Sequence, residues 1–169
     1  MTEPALTPSR LWKSMTSAQR LAAVQAFWGE EQAGDEQLQA VMLIAQQKKF
    51  RPKSVIALDA ERKARHLSSI MNLPDALVAR ALIAYHLAEQ RPMMGVFLDS
   101  LGITHENGLI KEETVTPNAA RLAPAVAEIM KQYPAADVAL YLSTLLSQDP
   151  ETWGGLADIV KGLSTISHA

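Results

Sequence analysis

The chain has 169 residues, 48% hydrophobic and 20% charged, which suits one ordinary helical domain, 1–169, burying roughly 70% of its unfolded surface without a metal or disulfide. Sixteen Lys and Arg against eighteen Asp and Glu give a formal charge of -2, which excludes the strongly basic profile of a general nucleic-acid binder. With no cysteine there is no disulfide framework, no Cys-ligated zinc, no iron–sulfur cluster and no thiol nucleophile. Only 5% of residues are aromatic while 26 are Ala and 21 Leu, a composition that favours helices and points to an all-α fold.

Thr7-Pro8 reads as an N-cap followed by proline at the first helical position, opening a short helix to about Ser14. Thr16 and Gln19 form a capping box ahead of Leu21, Val24 and Trp28, and Gly29 stops that helix. Asp35 is a candidate cap for a third helix ending near Lys48 and Lys49; its centre, Ala40 to Ala45, is apolar on every face, the pattern of a helix buried all round. After Arg51-Pro52 a short apolar segment from Val55 to Leu58 leads to Asp59, which caps a surface helix from Ala60 to Ile70 with an apolar stripe Ala60, Ala64, Leu67 and Met71. Asn72 to Asp75 reads as a loop and cap before a central helix, Ala76 to Glu89. Pro92 opens a helix to Leu101, ended by Gly102 as a left-handed cap with Ile103 folding back on Leu98.

Asn107-Gly108 is the strongest hairpin signal in the chain, so the one non-helical feature is expected near 103–110, flanked by Ile103 and Ile110. Thr116-Pro117 then starts a helix that Pro124 restarts or kinks before Tyr133. Pro134 and Pro150 open Ala135 to Leu146 and Glu151 to Leu163, with fraying expected from Ser164 to Ala169. The count comes to about eight short helices packed as hairpins. Leu43-Ile44-Ala45, Arg51-Pro52 and Val55-Ile56-Leu58 are echoed about 40 positions on by Leu82-Ile83-Ala84, Arg91-Pro92 and Val96-Phe97-Leu98. That period suits a HEAT-like solenoid, while abundant leucine and helix-opening prolines yield the same match by chance.

Few residues carry chemistry. His105-Glu106 begins like a zincin, but Leu109 stands where H-E-x-x-H needs its second histidine, so no metal site is read. No nucleophile elbow, P-loop or dinucleotide fingerprint is present, no catalytic residue is assigned and no cofactor is expected. Glu30-Glu31 and Glu112-Glu113 fall in loops that lack the desolvation needed to tune a carboxyl group. Trp12, Trp28, Trp153 and Met93-Met94 read as core. A ligand pocket around His86, Arg91, His105 and Glu106 requires the hairpin to fold onto the central helix.

Charge divides along the chain, +3 over Met1 to Tyr85 and -5 over His86 to Ala169. Lys48, Lys49, Arg51, Lys53, Arg62, Lys63 and Arg65 form a candidate anion-binding segment. Phe50 is the one aromatic among them, which argues against nucleic acid. Met1 to Arg10 carries Glu3, Pro4 and Pro8 where a secretory signal needs a basic start and an apolar run, so a cytoplasmic, non-membrane protein is expected. Together these features point to a non-enzymatic helical interaction module that binds a partner peptide or helix in an inter-helix groove. The alternatives are a small-molecule-binding protein or enzyme using the His86 pocket, and a sequence-independent binder of an anionic partner. The opposite charge of the two halves also predicts a salt-sensitive homodimer.

Overall fold

The computed structural model describes residues 6–31 and 34–167. The fold is all-α, with one short two-stranded antiparallel sheet, and its contacts group into two compact units.

The first unit, Thr7–Ala88, contains α1 (Pro8–Ser14), α2 (Ser17–Trp28), α3 (Gly34–Lys48), α4 (Pro52–Ile56), α5 (Ala60–Ser68) and nearly all of α6 (Asp75–Glu89). Local rules start the helices as read: the Thr7 side chain accepts from the Arg10 amide, Thr16 and Gln19 close their capping box, and Asp59 accepts from the Arg62 amide. α5 packs on α2 and α3, and α3 also packs on α4. The core gathers Trp12, Phe27, Ile44, Leu67, Leu77 and Leu82, all fully buried. The Trp12 indole N–H donates to the Ile70 carbonyl at 2.9 Å, and Ser9 donates its amide at 2.9 Å and its hydroxyl to the Asp75 carboxylate. These bonds, the hydroxyl's first and the amide's second, hold the Asp75 carboxyl below its ordinary pKa. Asp75 thus lies inside the first turn of α6 and ties it to α1.

The second unit is built from Glu89–Ala169 and contains α7 (Arg91–Ser100), β1 (His105–Glu106), β2 (Leu109–Ile110), α8 (Ala119–Gln132), α9 (Ala135–Gln148), α10 (Pro150–Trp153), a 3-10 turn (Gly154–Leu156) and α11 (Ala157–Ser167). α8 packs on α7 and α9, and α9 packs on α10 and α11. Phe97 meets Tyr141 edge-on, with ring centroids 5.6 Å apart, and Trp153 at 6.0 Å, and Leu98, Ile129, Leu142 and Leu156 of the same unit are fully buried. α7 closes as expected: Gly102, at φ 70°, donates to the Asp99 carbonyl at 3.0 Å and Ile103 donates to the Leu98 carbonyl at 3.0 Å.

Several expectations are corrected. More helices form than the eight read, because the proline-opened segments Pro52–Ile56 and Pro150–Trp153 are helices of their own. The centre of α3 is buried on one stripe, Ala40, Val41, Ile44 and Ala45, while Met42 is exposed. On α5 the buried residues are Ala64 and Leu67, continued by Ile70; Ala60 and Met71 are exposed. α8 starts at Ala119, where the Asn118 side chain accepts from the Ala120 amide, and Pro124 lies inside it. The helix after Pro150 breaks at Gly154 and Gly155; a Cβ on Gly155 would stand 2.6 Å from Leu122 Cδ1, so this turn lies against α8. α11 continues through Ser167, past the expected fraying point, while His168 and Ala169 lie outside the described residues. The two echoed segments share a 15-residue helix and a proline-opened successor, but their successors differ. α4 has five residues and packs on α3, whereas α7 has ten and packs on α8.

Candidate functional site

Three of the four pocket candidates meet at the hairpin of the second unit. Asn107 and Gly108 take positive φ values of 49° and 87°, as a type I′ turn requires, and pair His105 with Ile110 and Glu106 with Leu109. The Arg91 guanidinium donates to the Asn107 carbonyl at 2.9 Å. Glu106 pairs with Lys111 at 2.9 Å, whose hydrogen bond and charge, with a smaller contribution from Arg91, hold the Glu106 carboxyl below its ordinary pKa. The Gly108 amide donates to His105 Nδ1 at 3.0 Å, so Nε2 carries the proton and donates to Asp99 Oδ1 at 2.7 Å. With both ring nitrogens engaged, His105 has no lone pair to act as a general base.

His86 belongs to the first unit, on α6, and is buried. Its Nδ1–H donates to the Leu82 carbonyl one turn back at 2.8 Å, and burial drives its pKa down to about 4 against a smaller opposing effect of that bond. It is a neutral core histidine at pH 7. Among the described residues no group of three His, Asp or Glu side chains is placed to hold a metal ion.

The basic segment divides into two sets. Arg62 and Arg65 pair with Asp59 and Glu61 on their own helix, and Lys63 stands 5.3 Å from the centre of the Trp28 ring. Lys48, Lys49, Arg51 and Lys53, at the end of α3 and the start of α4, have side chains with no ion-pair or hydrogen-bond partner among the described residues. Lys49 sits at φ 59°, where it closes α3 by letting the Phe50 amide reach the Ala45 carbonyl at 2.9 Å.

The same two helices and their connection also carry exposed large apolar side chains. Leu38 (58%), Met42 (51%), Phe50 (42%) and Ile56 (55%) are exposed on α3, the connection and α4. Leu38 and Met42 are one turn apart on one face of α3, and Phe50 leans edge-on to His66 at 5.4 Å. In the sequence this face is masked by the continuous apolar run from Ala40 to Ala45. The available signal was Met42, which falls outside the stripe set by Val41, Ile44 and Ala45, whereas Leu38, seven residues before Ala45, lies at the edge of that stripe.

In the second unit a groove of about 600 Å³ runs between α7 and α8 over Val96, Pro124 and Ala125, bordered by Asp99, Arg121 and Glu128. A smaller cavity of about 400 Å³ lies between Val115–Ala119 and Glu151–Gly155. Neither is lined by His86, Arg91, His105 or Glu106. One hint of the groove is legible in the spacing of Arg121 and Glu128, which seven positions apart share a face of α8.

Among the described residues no helix is long and apolar enough to cross a membrane. No known protein family, curated protein or solved structure matches the chain.

Proposed function

We propose that the protein is a non-enzymatic helical interaction module that captures an acidic amphipathic helix on the surface of α3 and α4. The supporting observation is the placement of four unpartnered cations, Lys48, Lys49, Arg51 and Lys53, beside the exposed side chains of Leu38, Met42, Phe50 and Ile56. Exposed apolar side chains gain by leaving water, each up to about 1.5–3 kcal/mol when fully covered. Leu38 and Met42 offer anchors at the i, i+4 spacing of a partner helix, while the cations select acidic residues and steer encounter. Leu38 lies ten residues from Lys48, about 15 Å along α3. That end-to-end layout suits a helix better than a lipid surface, which favours cations layered above the apolar residues.

The test is a fluorescence-anisotropy titration of the full chain with a labelled acidic amphipathic peptide of about 18 residues, five helical turns. Binding is expected to be saturable at about 50 mM salt, weaker at about 500 mM, and lost in Met42→Glu and in the combined Lys48, Lys49 and Lys53→Gln variant. No binding of the peptide, or binding unchanged in Met42→Glu, overturns the reading. Binding to anionic phosphatidylserine vesicles in place of the peptide, or a dimer that sedimentation finds at low salt and Met42→Glu abolishes, assigns the face to a membrane or a second copy instead.

A further inference from the structure

The groove between α7 and α8 holds charges that the α3–α4 surface does not use. Its α7 end is set by the hairpin. The Gly108 amide fixes His105 as the Nε2–H form, which holds one oxygen of Asp99 and leaves the other open. The His105 ring lies along α7, its Cε1 3.4 Å from where a Cβ on Gly95 would stand. A carboxylate held on one oxygen by a ring N–H has a defined direction.

Arg121 stands at the same end. Its Nη1 is 3.5 Å from the position of a Cβ on Gly102, three residues past Asp99, and its guanidinium has no hydrogen-bond or ion-pair partner among the described residues. Arg121 and Asp99 therefore border one groove with opposite charges that do not neutralise each other. Glu128 marks the other end, seven residues or about 10 Å further along α8. Its contact with Lys131 is long, 3.5 Å, and solvent-exposed, so it competes weakly. Between the ends the lining is Val96, Pro124 and Ala125.

We infer that this groove binds a free basic α-amino acid, with its α-carboxylate on Arg121, its α-ammonium on Asp99, its aliphatic stem over Val96, Pro124 and Ala125, and its terminal cation on Glu128. The charges are reciprocal: one guanidinium and two carboxylates in the groove face one carboxylate and two cations in the ligand. A planar guanidinium matches a carboxylate with two parallel hydrogen bonds, and opposite charges at one end that do not pair with each other match the two charges of an α-amino acid. A lysine stem spans roughly 6 Å in extended form, which with the reach of the Glu128 side chain covers the length of the groove. His105 is a positioning residue, acting on the ligand only through Asp99. The groove's volume lies within the range of small-ligand sites, about 300–1,000 Å³.

The experiment titrates L-lysine into the isotope-labelled full chain and follows backbone amide resonances. Saturable shifts are expected in α7 and α8, with norleucine, which lacks the terminal ammonium, and Nα-acetyl-lysine each binding about tenfold or more weakly. Glu128→Gln should reduce lysine to the level of norleucine while leaving norleucine unchanged. Arg121→Gln should weaken both. Because Arg121 also stands near the negative end of the α7 dipole, its variant is read beside a melting curve, and the Glu128→Gln comparison holds whatever that curve shows. No saturable shift by about 20 mM lysine, lysine preference surviving Glu128→Gln, or equal shifts with glutamate would overturn the assignment.

Discussion

Burial keeps the His86 imidazole neutral, and that has a thermodynamic sign. Its pKa in the fold is about 4 against 6.5 for the unperturbed group, so between those values the unfolded chain takes up a proton that the folded chain refuses. Stability contributed by the neutral ring is therefore complete above about pH 6.5 and falls by about 1.4 kcal/mol per pH unit as pH drops towards 4, about 3 kcal/mol in all. Urea denaturation at pH 7 and pH 5 checks this: His86→Phe, which cannot take up the proton, should lose about 2 kcal/mol less than the native chain between the two. An equal loss in both would mean that the imidazole is protonated inside the fold. Asp75 adds to the same trend at lower pH through its charged form: Ser9 stabilises the carboxylate, and that stabilisation is lost as pH falls through its lowered pKa.

At the scale of elements, the hairpin is only two residues per strand, too short to stand alone, and it rests on α7. A Cβ on Gly108 would fall 2.8 Å from Met94 Cβ at a φ of 87°. Gly108→Ala should destabilise the chain by about 1–3 kcal/mol and release His105 Nδ1 from its donor, visible as a change in imidazole nitrogen resonances. Unchanged resonances would mean that the turn does not set the tautomer. The hairpin was legible from Asn107-Gly108 because a type I′ turn is written in two adjacent residues, and the same holds for Thr7-Pro8, the Thr16–Gln19 box, Asp59 and Gly102. Each is satisfied within a few positions of itself. The start of α8 at Ala119 rather than at Pro117 was not legible, while of the two readings of Pro124 the one that keeps it within a helix is the one observed. Asn118 caps the helix so close to it that the proline falls in the second turn, where it brings no N–H to the Ala120 carbonyl. Of the seven basic candidates, the pairing of Arg62 and Arg65 is readable from the acids three and four positions earlier, whereas Lys63 over Trp28 joins residues 35 apart. The exposure of Leu38 and Ile56 was hidden for the same reason: which apolar residue lacks a neighbour depends on elements distant in sequence.

For the whole molecule, the small net charge conceals a separation. Thr7–Ala88 holds eleven basic and seven acidic residues, net +4, and the rest of the chain five and eleven, net -6. Surfaces meet local potential, not the total, particularly where the Debye length is long. At pH 7 and below about 50 mM salt the full chain should be retained on a sulfonate resin despite its charge of -2, and the variant with Lys48, Lys49, Arg51 and Lys53 all changed to Gln should pass through. Passage of the native chain would mean that the acidic residues dominate the field over that face.

The bonds from α1 to Ile70 and to the first turn of α6 also bear on how the chain is made. Ser9 waits for Asp75, 66 residues later, and Trp12 for Ile70, 58 residues later. At about 5–20 residues per second a ribosome adds Asp75 roughly 3–13 s after Ser9, so α1 spends that interval without these two bonds. Leu11 and Trp12, which end at 5% and 0% exposure, are then the first large apolar side chains of this unit to leave the ribosome and among the last to be covered. The nascent chain is thereby most open to chaperone capture before α6 emerges, and docking of α1 completes the first unit from its earliest-made helix.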